Sequence, residues 1–374
     1  MPTCDDGPNA ENIKPVISTV ISVVVPTYNE AENLPVLVER LHKAFGGGYE
    51  VVVVDDSSPD GTALVAESLA RDFPVRVVVR RGRWMGLAGA VVEGARAALG
   101  EVVVVMDADL QHPPEVAPLL AARVLAGADL AVGTRYGRGG GIEGGWPVAR
   151  RIISRGASLL AKLLLPEARP LSDPMSGFFA ARRACLSSIS PTGRYKILLD
   201  VLSQCRPAEV VEVPYVFRPR HAGRSKLGLR HMADYVLQLM RITGWRPLKF
   251  ALVGATGVGV AEAVLYALPL PYWLAAVPAI ETSLTTNFAL NNAWTFRDRK
   301  APWLRGWLKY HVANLAGIAA NYATSNALVL AGVSRYLAYV VGVVAGFLAN
   351  YLLSETYVFG RKAVDISPRT SRRA

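Results

Sequence analysis

The chain carries its strongest structural signal at Val102-Val103-Val104-Val105-Met106-Asp107-Ala108-Asp109-Leu110-Gln111-His112-Pro113. The valine run is typical of a short strand that is buried on both faces. Asp107 and Asp109 follow it directly, one residue apart. Two such carboxylates repel each other unless a cation or ligand donors compensate, and a divalent metal is the usual solution. The segment therefore predicts a buried strand that ends in a metal-binding loop.

Four further valine-rich runs, bounded by turn residues, also predict buried parallel strands. They are Val20 to Val25, Val51 to Val54, Val75 to Val79 and Leu130 to Val132. Helical patterns alternate with them, at Ala31 to Phe45, Thr62 to Asp72, Leu87 to Leu99 and Glu115 to Ala126. This alternation predicts an open α/β sheet with helices on both faces, which binds its ligands at the carboxyl ends of the strands.

Polar clusters follow the first, second and fourth of these strands. They are Pro26-Thr27-Tyr28-Asn29-Glu30, then Asp55-Asp56-Ser57-Ser58-Pro59-Asp60-Gly61-Thr62, then Asp107 to Pro113. Helix capping explains Ser57, Ser58 and Asp60 about as well as ligand binding does. Capping explains Asp107 and Asp109 less well, so we expect a metal that bridges a diphosphate here.

In this order the motifs resemble the family 2 glycosyltransferases with the GT-A fold, a Rossmann-like nucleotide-sugar-binding fold. The resemblance implies Mg²⁺ or Mn²⁺ held by Asp107, Asp109 and Gln111 on the donor diphosphate. It implies a nucleotide-sugar site made of Pro26, Tyr28, Glu30, Asp56, Asp107, Ala108, Asp109, Gln111, Arg220 and Lys226. Ala88 departs from the family pattern Gly-Leu-Gly-x-Ala, and we interpret Gly86 and Gly89 as an ordinary helix N-terminus.

Basic residues recur beside small ones further along the chain, and arginine suits bidentate capture of phosphate. Here the chain resembles the dolichol-phosphate mannose synthases. The resemblance implies that Arg135, Arg150 and Ser154 bind an acceptor phosphate, and that the catalytic residues are Asp107, Asp109, Arg220 and Lys226. The loop Asp173-Pro174-Met175-Ser176-Gly177-Phe178 also matches a loop of that family.

The implied reaction is the inverting transfer of mannose from GDP-mannose to dolichyl or another polyprenyl phosphate. A phosphate monoester, with a second pKa of about 6, is ionised at neutral pH and can attack without a general base. Metal and basic side chains would stabilise the leaving diphosphate. We therefore expect Asp107 to bind rather than to accept a proton.

Two amphipathic helices are predicted at Ile152 to Leu164 and at Leu229 to Met240. In a soluble protein, packing on the domain core would explain both. Because membrane-spanning patterns follow in the chain, we expect these helices to lie at the membrane interface and to guide the polyprenyl chain.

Four apolar segments follow, each near the roughly 20 residues that span a bilayer. They are approximately Leu248 to Leu268, Tyr272 to Asn292, Tyr310 to Ala331 and Tyr336 to Phe359. Lysine and arginine flank them on one side, whereas the turns Pro269 to Pro271 and Gly332 to Arg335 are nearly uncharged. The N-terminal residues lack a signal-peptide pattern. We expect a multi-pass integral protein of the cell membrane with a cytoplasmic catalytic domain.

The membrane region repeats itself, since Thr286-Asn287-Phe288-Ala289-Leu290 resembles Ala349-Asn350-Tyr351-Leu352-Leu353. It resembles the GtrA-like membrane domains through Lys249-Phe250-x-x-Val253-Gly254-x-x-Gly257, which implies a role in handling polyprenyl-linked sugars. For Glu262, Glu281 and Glu355 we expect helix contacts or a polar path, and for Asn287 and Asn291 helix-to-helix hydrogen bonds.

Composition is consistent with this plan. The chain has 374 residues, 51% of them hydrophobic, and a net charge of +11. Such a basic excess suits phosphate ligands and membrane lipid, and without a nucleic-acid-binding motif we predict no nucleic-acid partner. Cys4, Cys185 and Cys205 are scattered without metal-ligand spacing, so we predict neither a disulfide framework nor a zinc site.

The predicted domain plan has five parts. They are a polar tail (1–19), the GT-A domain (20–223), an amphipathic interfacial helix (224–246), a transmembrane domain of four helices in two hairpins (247–362) and a basic tail (363–374). Two alternatives stay open: a glucosyltransferase that uses UDP-glucose and undecaprenyl phosphate, and a lipid-linked sugar translocator. A processive polysaccharide synthase is disfavoured because Gln-x-x-Arg-Trp is missing. The sequence leaves the oligomeric state open.

Overall fold

The computed structural model describes residues 21–81, 86–219 and 229–360. The chain divides into two compact units, and the boundary lies between Ile242 and Thr243. The amphipathic segment that precedes the boundary therefore belongs to the first unit. The finer domain plan stays a prediction.

The first unit is an α/β domain. Its strands are β1 (Ile21–Thr27), β2 (Tyr49–Asp55), β3 (Val75–Val79), β4 (Val102–Val105), β5 (Leu130–Thr134), β6 (Gly141–Ile142), β7 (Phe179–Arg182), β8 (Val210–Pro214) and β9 (Val216–Phe217). Its helices are α1 (Leu34–Phe45), α2 (Thr62–Leu69), α3 (Gly86–Ala97), α4 (Ala117–Leu125), α5 (Val148–Leu164), α6 (Arg183–Ser188), α7 (Ile197–Asp200) and α8 (Leu229–Ile242).

Seven strands form the main sheet, in the order β3-β2-β1-β4-β7-β5-β8. The five predicted strands are confirmed. β7 and β8 were not predicted, because Phe179–Arg182 is four residues long with no β-branched side chain and Val210–Pro214 carries a charge. β7 pairs antiparallel with both β4 and β5. The sheet is therefore mixed rather than wholly parallel.

Alternate residues of β1 face opposite layers of helices. Val23 and Val25 are fully buried in a core that includes Leu34 and Leu37 of α1. Val24 faces the other way, where α3 packs closely enough that a Cβ on Gly94 would touch its side chain. The apolar run is therefore buried on both sides, and helices on both faces are confirmed.

The second unit contains four long helices, α9 (Arg246–Ala267), α10 (Tyr272–Leu290), α11 (Trp303–Leu330) and α12 (Arg335–Leu353). α9 packs with α10, and α11 packs with α12. π-helical turns at Asn291–Thr295 and Ser354–Val358 follow α10 and α12. The repeat extends to packing, because Asn287 covers Gly257 in the first pair and Asn350 covers Gly317 in the second.

Among the described residues, two helical segments are long and apolar enough to cross a membrane. They are Arg246–Ala267, with a mean hydropathy of 1.6, and Arg335–Val358, with 1.8. The other two helices form where the sequence predicts them but fall outside this criterion. α10 contains Pro278 and Glu281, and α11 contains two charged residues near its start and three asparagines further along.

The prediction of no disulfide is wrong. Cys185 in α6 and Cys205, in the π-helical turn after α7, are bonded, with their Cα atoms 5.8 Å apart. The two residues are separated by 20 positions, and only the packing of α6 against that turn brings them together.

Candidate functional site

The strand register brings the predicted polar loops to one edge of the sheet. Thr27 pairs with Asp55, so the loops after β1 and β2 leave the sheet at the same level. Val105 of β4 and Val132 of β5 both pair with Phe179 of β7. The residues that follow these strands therefore flank the segment that enters β7. β1 lies between β2 and β4, where the strand order reverses, and ligands of open α/β sheets bind at such a point.

The loops after β1 and β2 hold each other in place. The backbone N–H groups of Asn29, Glu30 and Ala31 donate to Ser58 Oγ, Thr62 Oγ1 and Asp60 Oδ2, at 3.0, 3.0 and 3.2 Å. Partial burial acts to raise the pKa of Asp60, but the hydrogen bonds that Thr62 and Ala31 donate to its carboxylate together lower that pKa.

This bracing fixes the loop that carries Tyr28 and Glu30, which follows Pro26 near the end of β1. The Tyr28 side chain is exposed at the edge of the sheet. Asp60 also accepts the backbone N–H of Thr62, the first residue of α2, so it binds the start of the helix and braces the loop at once.

Asp56 is held by an arginine that the sequence interpretation missed. Arg80 Nη1 lies 2.6 Å from Asp56 Oδ1, and Arg80 Nε lies 2.9 Å from Glu93 Oε2. Both Asp56 and Arg80 are mostly buried. A buried charge needs such a partner, and the pair orients the Asp56 carboxylate at the edge where a nucleotide would lie.

The loop after β4 presents Asp107 to solvent and buries Asp109. The Asp107 side chain is 38% exposed, whereas Asp109 is 5% exposed and accepts the backbone N–H of Gln111 at 3.1 Å. Ala108 between them is buried. Leu110 has a φ of +61°, which is unusual for a residue with a bulky side chain and is retained mainly where the surroundings fix the backbone.

His112 supports this loop and was not predicted as a site residue. Its Nδ1 accepts the backbone N–H of Asp107 at 3.2 Å, and its ring stacks on Phe178 with centroids 5.0 Å apart. Burial lowers the pKa of His112 to about 4. The ring is therefore neutral at pH 7 and can act as the acceptor that holds Asp107.

The donor set fits a hard divalent cation shared with a ligand. Asp107 and Asp109 supply carboxylate oxygens, which Mg²⁺ and Mn²⁺ prefer. Gln111 Nε2 donates to the Arg218 carbonyl at 3.3 Å, so its side chain lies against the neighbouring loop. Throughout the described ranges no group of three His, Cys, Asp or Glu side chains could hold a metal by itself. A cation here would take its remaining ligands from the substrate or from water.

The three predicted acceptor-binding residues are gathered around Tyr136 and Trp146. The Arg135 guanidinium lies 5.2 Å from the centre of the Trp146 ring, and that of Arg150 lies 4.5 Å from it. Ser154 Oγ lies 3.0 Å from the Tyr136 hydroxyl. Cations over aromatic faces are attracted to the ring. The structure thus brings Arg135, Arg150 and Ser154 together.

Arg135 also has a partner that the sequence interpretation did not assign. Its Nε and Nη2 donate to the two oxygens of Asp173 at 2.6 and 2.9 Å, and Asp173 is fully buried. The bidentate pair holds the guanidinium plane rigidly. The positive charge of Arg135 is therefore already paired with a carboxylate of the protein.

Lys196 is a further residue that sequence reasoning missed. It precedes α7, and its Nζ donates to the Met175 carbonyl at 3.0 Å. Met175 belongs to the loop Asp173 to Phe178, which leads into β7 and whose sequence matches a family loop. A lone lysine in Gly193-Arg194-Tyr195-Lys196 carries no sequence signal that would have found it.

Arg220 and Lys226 lie outside the described residues. Gly86 begins α3, as predicted, but the position also has a specific requirement for glycine. Its φ is +68°, and a Cβ there would lie 2.8 Å from the Arg194 carbonyl oxygen. Glycine is required at this position both for its backbone conformation and for that close approach.

Comparison with known proteins identifies both units. The glycosyl transferase family 2 model matches residues 22–189, and the GtrA/DPMS transmembrane domain model matches residues 249–359. A dolichol-phosphate mannosyltransferase of Pyrococcus furiosus is 41% identical over 346 residues, which cover 89% of this chain and 97% of that protein. The chain belongs to the dolichol-phosphate mannosyltransferase family. It is a glycosyltransferase with a membrane domain, and both resemblances found in the sequence are confirmed.

Two further relatives match a shorter part of the chain. The dolichol-phosphate mannosyltransferase of Mycosarcoma maydis is 39% identical and covers 62% of this chain and 83% of its own length. That of Saccharomyces cerevisiae is 37% identical and covers 60% of this chain and 88% of its own length. The archaeal relative therefore matches the membrane domain as well, whereas these two mannosyltransferases match a shorter part of the chain.

Proposed function

We propose that this member of the family transfers mannose from GDP-mannose to dolichyl or another polyprenyl phosphate and releases GDP. The names of its relatives support the substrates. One structural observation supports the site most strongly. One segment, which enters β7 at one edge of the sheet, is flanked by the loop after β4 and by the residues after β5. The first carries Asp107 and Asp109, and the second begins with Arg135. Such an arrangement suits a donor and an anionic acceptor that must meet.

On the donor side, Asp107 and Asp109 would hold Mg²⁺ or Mn²⁺ together with the donor diphosphate. The cation, when bound, supplies positive charge to the leaving diphosphate. His112 holds the backbone of Asp107, and Arg80 orients Asp56 beside the nucleotide. Tyr28 and Glu30 stand on the braced loop at the same edge. These residues bind and position the donor without moving a proton.

On the acceptor side, Arg150, Ser154 and the Arg135–Asp173 pair would orient the lipid phosphate, with Arg220 and Lys226 completing the set by resemblance. A phosphate oxygen forms a bond to the anomeric carbon while the bond from that carbon to the diphosphate breaks, with inversion. Because the phosphate is already ionised at neutral pH, the site needs no general base. Positioning and electrostatic stabilisation carry the reaction.

Two amphipathic helices of the first unit support a lipid acceptor. Tyr235 of α8 donates to the Ala157 carbonyl of α5 at 2.6 Å, which joins the two helices. Both helices expose large apolar side chains: Ile152, Ile153 and Leu159 on α5, and Met232 and Val236 on α8. Packing on the domain core would have buried these side chains. Their exposure favours a membrane interface.

For the second unit we propose four spans with the catalytic unit in the cytoplasm. Exposed aromatic side chains lie near both ends of the helices. Tyr266, Tyr272, Trp273, Tyr336 and Tyr339 lie at the ends joined by the uncharged turns, and Trp294, Trp303 and Tyr357 lie at the other ends. Aromatic belts mark the two membrane–water interfaces. All four helices carry such residues, including the two that are less apolar.

A donor panel tests this proposal. The purified full-length chain in detergent is incubated with a polyprenyl phosphate, Mg²⁺ or Mn²⁺, and labelled GDP-mannose or UDP-glucose. We expect label in the organic phase from GDP-mannose. Label from UDP-glucose alone would identify a glucosyltransferase. If neither donor labels the lipid but the protein moves a lipid-linked sugar across vesicles, the translocator alternative is correct. Glu39→Gln, a change at an exposed residue on α1, is the control.

A further inference from the structure

Residues 173–177, here called the bridging segment, connect the two halves of the candidate site. At one end, Asp173 holds Arg135 through two hydrogen bonds. At the other end, Gly177 lies so close to Asp107 that a Cβ there would be 3.6 Å from Asp107 Oδ2. Between them, the Met175 carbonyl accepts the hydrogen bond from Lys196 Nζ. Lys196 therefore reaches the middle of the segment that joins the donor and acceptor sides.

Charged side chains lie at both ends of the bridging segment. Asp173 pairs with Arg135 on the acceptor side, and Asp107 and Asp109 lie on the donor side. The hydrogen bond of Lys196 goes to a neutral carbonyl, so its positive charge is not consumed by a hydrogen-bonded carboxylate. Burial and the nearby Arg135 lower the pKa of Lys196, whereas Asp107 and Asp173 favour its charged form. Lys196 is thus electrostatically coupled to both sides of the site.

A charged acceptor makes this position important. The proposed reaction brings an anionic phosphate towards an anionic diphosphate, and like charges repel strongly where water is partly excluded. Because Arg135 is already neutralised by Asp173, it offsets little of that repulsion. A fixed ammonium group between the two anions would offset more.

We propose that Lys196 is a positioning residue that fixes the bridging segment and offsets the repulsion between the donor diphosphate and the acceptor phosphate. This inference rests on the proposed function and adds to it a residue outside the matched motifs. It requires the charge of Lys196 in addition to its hydrogen bond to Met175. Charge and hydrogen bond can be separated by substitution.

Lys196→Gln and Lys196→Arg make that separation. Glutamine keeps an N–H donor for the Met175 carbonyl but removes the charge, whereas arginine keeps both. In the transfer assay we expect Lys196→Gln to lower kcat by about 100-fold, the scale of losing one electrostatic contact to a transition state. The KM for polyprenyl phosphate should rise, while the KM for GDP-mannose changes by less than about threefold, because the donor is held mainly by other residues. Lys196→Arg should recover most of the activity.

Controls separate this inference from the proposed function. Wild-type transfer is measured first, and its absence would refute the proposed function rather than the role of Lys196. Lys43→Gln, at an exposed lysine paired with Glu39, should leave all constants unchanged. Calorimetric binding of Mn²⁺ with GDP shows that each variant is folded.

Three results would overturn the inference. If Lys196 has only a structural role, glutamine at this position should retain activity. The first result is therefore a kcat of Lys196→Gln within about threefold of wild type. Equal rises in the KM of both substrates are the second. If Lys196→Gln fails the folding check, Lys196→Arg decides the question. The third result is then a folded Lys196→Arg variant that is as inactive as a variant that lacks Asp109.

Discussion

At the scale of single residues, the loop after β4 contains two site residues that the sequence motif reveals and one whose role only the structure reveals. Asp107 and Asp109 can be recognised from the sequence because two adjacent carboxylates after a buried strand need compensation. His112 stands in the same motif, but its role depends on the Asp107 N–H and on Phe178, which belongs to a distant part of the chain. Arg80 and Asp173 were missed for the same reason.

His112→Phe tests the support of Asp107. Phenylalanine keeps a ring to stack on Phe178 but offers no acceptor for the Asp107 N–H. Leaving a buried N–H unsatisfied costs about 1–3 kcal/mol, so we expect a lower unfolding free energy by that amount and a transfer rate that is lower by about tenfold. His42→Phe, at a ring packed against Phe73 and Tyr49, should keep wild-type transfer. Full activity of His112→Phe would show that the hydrogen bond is dispensable.

At the scale of elements, the parallel strands could be predicted and the antiparallel one could not. Valine runs mark strands buried on both faces, whereas β7 consists of Phe-Ala-Ala-Arg and is specified by its two neighbours. The position of β7 in turn places the bridging segment between Asp107 and Arg135. The part of the site that the sequence did not reveal is therefore the part that depends on strand order.

The attachment of α8 depends on a buried carboxylate. Asp200 is fully buried and accepts hydrogen bonds from Thr192 and from Gln238 of α8. Asp200→Ala leaves these donors without their acceptor, so we expect a loss of about 2–4 kcal/mol of unfolding free energy. Glu67→Ala, at an exposed position on α2, should have little effect. Thermal unfolding in detergent measures both, and equal stability of the two variants would contradict the role of Asp200.

The loss of unfolding free energy in Asp200→Ala should depend on pH. Burial raises the pKa of Asp200 above 3.8, although its hydrogen bonds act in the opposite direction. The folded state therefore favours the protonated carboxyl, and its stability falls as the pH rises from about 4 through the raised pKa. Asp200→Ala lacks this fall, so the stability difference between wild type and variant should narrow across that window.

The hairpins of the second unit are joined by a buried ion pair. Glu355, after α12, is 2% exposed and lies 2.6 Å from Arg299 and 3.5 Å from Arg246, which flank the first hairpin. Removing one partner of a buried pair typically costs about 3–5 kcal/mol, because the other charge stays buried. Glu355→Ala should therefore lower the thermal stability of the detergent-solubilised protein markedly. Asp298→Ala removes a half-exposed partner of Arg246 and should cost less than about 1 kcal/mol. Similar effects of the two changes would contradict the assignment.

At the scale of the whole molecule, motif resemblance predicted the enzyme unit, apolar runs and charge placement predicted the membrane unit, and the family matches confirm that order. The four helices also form where the apolar runs lie. The Cys185–Cys205 bond could not be predicted, because its partners meet only through packing. The residues proposed to bind a phosphate were predicted by resemblance, and the structure adds the aromatic rings around which three of them lie.

The proposed orientation in the membrane can be tested with single cysteines at Ser334 and Lys300. Ser334 lies in a nearly uncharged turn and Lys300 in the basic connection between α10 and α11. A membrane-impermeant maleimide should label Ser334→Cys in intact cells and label Lys300→Cys only after permeabilisation. In the unchanged chain Cys185 and Cys205 are bonded to each other and cannot react with the maleimide, so intact cells that carry this chain should stay unlabelled. The reverse pattern would place the enzyme outside.

The most direct test is the position of Mn²⁺ in a solved complex with a GDP-sugar. The anomalous signal should place Mn²⁺ within about 2.5 Å of carboxylate oxygens of Asp107 and Asp109, with the diphosphate as a further ligand and Arg135 on the acceptor side of the sugar. Asp109→Ala should lose both the signal and metal-dependent transfer. A metal bound elsewhere, or near-normal turnover of Asp109→Ala, would contradict the proposed site.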